Sequence, residues 1–233
     1  MLALLKLIRL ELRKNKFNFL KSVLIADLAI LGFMVLIAFT SLNEGEFSTY
    51  PDLFDGVFVF VKATFIIFAS VLISKLVIDE YKNNTITVLF MYPVPRKMLL
   101  AAKLIIVFLF TFLSIFLSDI AISSILTGID YFMSDVIQGT VSQDLITANL
   151  LKAGTDALYA AGIALIPLYF GMRRKSVPAT IVSAVLIVML ISSGFGNGSF
   201  RMGNLIWISL SLALVGGGIA YLSIRNIEHQ DVA

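Results

Sequence analysis

Six stretches of this chain, residues 20–42, 56–78, 98–127, 149–171, 177–194 and 204–224, run almost unbroken through apolar side chains. A helix rises 1.5 Å per residue, so about 20 such residues cross a hydrocarbon layer about 30 Å thick. Each stretch is near that length. Residues 98–127 are long enough to carry a turn or two beyond the bilayer, and 177–194 form the short one, ending in glycine. Barrel strands alternate sidedness over about ten residues, whereas these runs are continuously apolar, so the spans are read as helices. Composition agrees: the 233 residues are 59% hydrophobic and 14% charged, with a mean hydropathy of +0.96. A soluble domain holds roughly 45–50% apolar and about 25% charged residues. No core of this size hides the excess. The expected fold class is an all-α integral membrane protein with six transmembrane helices, residues 1–233 forming one domain.

The charges set the orientation. Lys6, Arg9, Arg13, Lys14, Lys16 and Lys21 precede or open the first run; Lys75, Lys82, Arg96, Lys97 and Lys103 surround the connection between the second and third; Arg173, Arg174 and Lys175 follow the fourth. The first loop carries Glu44, Glu46, Asp52 and Asp55, and the third (128–148) carries Asp130, Asp135 and Asp144, both without Lys or Arg. Positively charged loops stay in the cytoplasm, which places both termini there and 128–148 outside. Lys6, Arg9, Arg13 and Lys16 also form one helical stripe, with Met1, Leu4, Leu5, Ile8 and Leu12 broadly opposite. Residues 1–18 are therefore expected to form an amphipathic interfacial helix rather than a cleaved signal, which would show one apolar core and a small-residue cleavage site. A plain basic topology anchor is the alternative reading.

Several chemistries are excluded outright. With no cysteine, thiol nucleophiles and Cys-type zinc sites have no residues to use, and a single histidine, His229 in the polar tail, leaves little room for a His-based triad or metal cluster. The net charge of +3 resides in topology-setting loops, so no nucleic-acid partner is expected. No glycine is followed by lysine, so no phosphate-cradling G-x-x-x-x-G-K-[ST] loop exists.

The connection between the second and third runs is longer than a bare turn requires. Asp79, Glu80 and Lys82 lead into Asn83, Asn84 and Thr85, which are helix-capping residues ahead of the apolar stretch 86–91; Pro93 and Pro95 then stop any helix before Arg96. This order of Glu80, Thr85, Leu89, Tyr92-Pro93-Val94-Pro95-Arg96 and Lys103 resembles the cytoplasmic loop of ABC-2 type transporter permeases, with Asn84 where glycine is usual and Pro95 where Ser or Thr is common. The resemblance extends over nearly the whole chain. It implies a permease subunit without ATPase activity or a cofactor of its own, in the cell membrane of a bacterium. ATP and Mg would reside on separate cytoplasmic ABC ATPase subunits, and a second permease subunit would complete a homodimer or heterodimer. Residues 79–97 become the coupling segment, with Asp79, Glu80, Lys82, Thr85, Pro93 and Arg96 shaping or contacting the ATPase interface. Small size and short outer loops resemble the bacitracin, lantibiotic and phenol-soluble-modulin type exporters of amphipathic or antimicrobial peptides, with lipid or polysaccharide export as the nearest competitor.

Four ionisable residues fall inside the runs, where a lone charge costs several kcal/mol. Lys62, Asp119 and Asp156 each lie about two turns from the expected outer ends, and Asp27 about two turns from the inner end of the first run. The first three suit either an interhelical lock or the lining of a transport pathway. Asp27 either pairs with the basic N-terminus or snorkels toward water. Small residues at Ser209, Ala213 and Gly217, and at Ala179 and Ser183, suit close helix packing. Pro167 withholds a hydrogen bond from the carbonyl of Ile163 and is expected to kink its helix. Residues 194–200, glycine-rich, are placed outside, where a short re-entrant element would have to be abbreviated. An intramembrane enzyme lacks H-E-x-x-H and G-x-S-x-G, and a simple channel or accessory subunit has no use for the long 79–97 connection.

Overall fold

The computed structural model describes residues 19–41, 50–82, 96–133, 142–192 and 202–226. Within these, every regular element is helical. The expected interfacial helix at 1–18, the loop residues Thr85 and Pro93, and the glycine-rich 194–200 lie outside the described residues. Helix α1 is Phe19–Ser41, and α2 is Tyr50–Ile73, which continues through a π-helical turn, Ser74–Ile78, into Asp79–Lys82. Helix α3 is Arg96–Met133, α4 Gln143–Ile163, α5 Pro167–Arg174, α6 Val177–Ser192 and α7 Met202–Asn226.

The helix ends follow local chemistry. Pro51 and Asp52 occupy the first turn of α2, where a missing N–H costs nothing and a carboxylate faces the positive end of the helix. The Ser142 hydroxyl accepts the Leu145 N–H at 3.2 Å and caps α4. Between α4 and α5 the ladder tightens: Leu165 N–H donates to the Gly162 carbonyl at 3.1 Å and Ile166 N–H to that of Ile163 at 3.0 Å. The cause is Pro167, which has no N–H to offer Ile163, so that carbonyl is satisfied one residue early. Helix α5 ends at Lys175, whose left-handed backbone (φ 46°) lets its N–H and that of Ser176 both reach the Gly171 carbonyl.

Among the described residues, four stretches are long and apolar enough to cross a membrane: Tyr50–Ile78, Lys97–Asp130, Gln143–Arg174 and Trp207–Arg225. The apolar helix Val177–Ser192 has 16 residues, about 24 Å, less than a full hydrocarbon thickness. Helix α1 has 23 residues with Lys21 and Asp27 as its charges. Side-chain placement along α3 is the reverse of a water-soluble helix. Thr111, Ser114, Ser118, Asp119 and Ser123 are buried with Ile115, Ile122 and Leu126, while Leu109, Leu113, Leu117 and Ile125 face outward. Such a helix is suited to lipid outside and polar contacts inside.

The chain divides into two compact units. One includes Ile66–Phe112 and Tyr159–Ala233, the other Asn18–Phe65 and Leu113–Leu158. In the first unit, α5 packs on α6, and both meet the π-helical turn. Gly171 makes this possible: a Cβ there would overlap Thr180 Oγ1 and lie 2.8 Å from Ile78 Cδ1. Helices α4 and α7 approach backbone to backbone, since a Cβ on Gly162 would lie 2.9 Å from that of Ala213 and one on Gly216 would overlap the Gly162 carbonyl. The packing face of α7 is Ser209, Ala213, Gly216 and Ala220, not the expected Ser209–Ala213–Gly217 row; Gly217 faces open space. At 3.6 residues per turn a strict four-residue row drifts around the helix, and alternating steps of four and three hold the contact. In the second unit, Leu53, Val57, Phe58, Val61 and Phe65 are buried along α2 with Met34 of α1 and Ala153 and Ala157 of α4, and the Phe33 and Phe60 rings meet edge to face at 5.1 Å.

Candidate functional site

The chemistry-bearing side chains gather in two places, one in each unit. The first is a charged layer formed by α1, α2, α3 and α4. Lys62 Nζ lies 2.9 Å from Asp156 Oδ2, both side chains largely buried (11% and 17% exposed), so α2 and α4 are joined by a direct ion pair. Asp119 is 1% exposed, and neither of its carboxylate oxygens has a hydrogen-bond partner. Its charged neighbours are Asp156, Lys62 and Asp27. Asp27 lies beside the Ser118 hydroxyl, and its Oδ1 also lacks a hydrogen-bond partner.

Asp27 therefore stands near Asp119 among the described residues; the basic N-terminal segment lies outside them. The reason is in the helix lengths. Lys62 is 12 residues past Tyr50, Asp156 is 13 past Gln143, Asp119 is 14 before Met133 and Asp27 is 14 before Ser41. At 1.5 Å per residue all four stand roughly 18–21 Å from the corresponding helix ends. Counting from the edges of the apolar runs, rather than from the true ends, makes three of them look shallow and Asp27 look misplaced.

Two further polar links in the same unit have no signature in the sequence. Lys152 pairs with Asp55 and lies over the Phe58 ring, 5.2 Å from its centre. The Tyr50 hydroxyl donates to Asp130 Oδ2 at 2.5 Å, in a buried contact between residues 80 apart. Asp55 and Asp130 read in sequence as loop acids, because nothing local reveals that their helices begin or extend far enough to enclose them.

The second place, in the other unit, is the π-helical turn together with the last turn of α2 and the start of α3. Lys103, 2% exposed, pairs with Glu80 and donates to the Leu76 carbonyl at 2.8 Å. The end of α2 is thus clamped to the start of α3 through one ammonium. Asp79 is half-buried and closes the π turn, its N–H donating to the Ser74 carbonyl. A π turn inserts a residue into the i to i+4 ladder and often marks a working segment of a helix. Lys82 ends α2 and Arg96 begins α3; only their backbone positions are described, and Thr85 and Pro93 fall between, outside the described residues. Lys103 reads in sequence as one more cytoplasmic cation. Its place between Ala102 and Leu104, two turns into α3, is the signal that it is enclosed. Among the described residues, no group of three or more histidine or acidic side chains is gathered closely enough to hold a metal ion.

Residues 7–190 match the family described as ABC-2 family transporter protein. The chain is also similar to the "Uncharacterized protein YcbO" of Bacillus subtilis (strain 168), 45% identical over 233 residues, covering 97% of this chain and 100% of that protein. No solved structure matches. Members of this family are membrane components of transporters, not themselves catalytic, and generally work with ABC ATPase partners. The apolar helices, the inward-facing hydroxyl and carboxyl groups and a match covering most of the chain lead to one conclusion: this is a multi-pass membrane protein of the ABC-2 transporter family.

Proposed function

We propose that this chain is the permease subunit of an ATP-driven exporter that moves an amphipathic or antimicrobial peptide out of the cell or its membrane. It works as one of two permease subunits, with two cytoplasmic ABC ATPase subunits that bind the ATP and Mg. Six spans cross the cell membrane with both termini inside, and lipid surrounds the outward-facing leucines. The observation that carries this reading is the match to the ABC-2 family over residues 7–190 in a chain that has no phosphate-cradling loop of its own. Transport then depends on force arriving from another subunit. The 79–97 segment is suited to receive it: Asp79, Glu80 and Lys82 precede the loop and Arg96 follows it, and the Glu80–Lys103 clamp passes displacement from α2 to α3. The Lys62–Asp156 pair holds α2 to α4 in one of the two packings between which the spans move.

The test is transport in proteoliposomes containing this chain and its ATPase partner. ATP is expected to drive a labelled cationic amphipathic peptide across or out of the bilayer, with peptide-stimulated hydrolysis. Reversing charge at Glu80→Lys together with Arg96→Glu is expected to abolish the stimulation, and Arg96→Glu alone, which leaves the Glu80–Lys103 pair in place, to lower it with assembly intact. Transport of lipid or polysaccharide without any response to peptide would overturn the peptide assignment. Stimulation unaffected by the double reversal would overturn the coupling role of this segment.

A further inference from the structure

The charged layer of α1–α4 does not balance. Among the described residues, three carboxylates, Asp27 from α1, Asp119 from α3 and Asp156 from α4, share the layer with a single ammonium, Lys62 from α2. That ammonium is committed to Asp156 at 2.9 Å. Asp119 is left with 1% exposure and no hydrogen-bond donor at either oxygen. The Ser123 hydroxyl, one turn along the same helix, is also buried without a partner. An ionised carboxylate in this position has no hydrogen-bond donor and, among the described residues, no cation of its own. Burial in that state is strongly unfavourable even after relaxation of the surroundings. Multidentate metal chelation does not resolve the imbalance, since the described acids are not gathered closely enough to ligate one ion. A proton resolves it at the least cost, because it removes the charge and needs neither a cavity nor further ligands.

We propose that Asp119 is a proton-binding site, neutral in this conformation and ionised in the conformation where Lys62 is released from Asp156 or water reaches the layer. The proton moves between the Asp119 carboxyl and water, with no other bond made or broken. Once ionised, Asp119 competes with Asp156 for Lys62, so proton release and repacking of α2 against α3 and α4 are one event. The proton site belongs to the membrane chain alone, whatever the cargo.

Infrared spectroscopy of the purified full-length chain in lipid nanodiscs tests it. The expected result is a protonated-carboxyl C=O stretching band at neutral pH that shifts in D2O and is lost in Asp119→Asn. The same variant, which resembles the occupied site, is expected to match or exceed the wild type in melting temperature at neutral pH. If Asp119→Asn does not fold, Asp119→Glu is expected to retain the band at a shifted frequency. An identical carboxyl spectrum at neutral pH in the wild type and both variants would overturn the proposal. So would stabilisation of the wild type by added sodium in the absence of the band, which would assign the site to a bound cation instead.

Discussion

At Lys62, removing the ammonium leaves Asp156 as an uncompensated charge in a largely buried position. Breaking such a pair from one side costs about 3–5 kcal/mol, whereas replacing both partners with apolar groups is close to neutral. Lys62→Met is therefore expected to lower the melting temperature in detergent sharply, and Lys62→Met combined with Asp156→Leu to recover most of the loss. A single variant as stable as the wild type would show that the pair does not hold α2 to α4. Lys152 gives the contrast. Its pair with Asp55 is about a third exposed (30% and 37%), so Lys152→Met is expected to cost no more than about 1 kcal/mol. Lys103 resembles Lys62 in burial and donates to both Glu80 and the Leu76 carbonyl, so its loss removes the ammonium that ties the end of α2 to the start of α3.

Between elements, the sharpest test is the pair of neighbouring glycines in α7. A methyl group at Gly216 meets the Gly162 main chain, which cannot swing aside as a side chain would, while one at Gly217 meets nothing. Gly216→Ala is expected to destabilise by about 1–3 kcal/mol. Gly217→Ala is expected to be neutral or to gain up to about 1 kcal/mol from reduced backbone freedom, both measured by thermal unfolding. Equal effects would mean that α7 presents a different face to α4. The same pair shows what a sequence can and cannot reveal. Run lengths report where helices lie and that Lys62, Asp119 and Asp156 sit inside them, because an ionisable group in an apolar run is conspicuous whatever its neighbours. They do not report rotation about the helix axis or the true helix ends. Those quantities decide whether Gly216 or Gly217 is inward, whether Asp27 joins Asp119, and whether Asp130 is a loop acid or the partner of Tyr50. The π-helical turn at Ser74–Ile78 is equally invisible, since nothing in Ser-Lys-Leu-Val-Ile differs from ordinary helix.

For the molecule as a whole, the absence of cysteine makes orientation directly measurable without removing any native thiol. Single cysteines at Glu44 and Asp135 are expected to react with a membrane-impermeant maleimide in intact cells, and ones at Asn84 and Arg174 only after permeabilisation. That pattern is the one required by six spans with both ends in the cytoplasm; labelling of Asn84→Cys from outside would invert it. Division of labour is the deeper claim. The proposed function places ATP binding on another chain, since residues 1–233 carry no phosphate-binding loop and ABC-2 permeases generally work with ABC ATPase partners. The most direct measurement is native mass spectrometry of the tagged chain isolated from its own membranes in mild detergent. The account predicts a complex of two permease subunits with two ATPase chains, one of each permease chain if the pair is heteromeric. Repeated isolation of this chain with no ATPase subunit, from membranes where it supports transport, would contradict it.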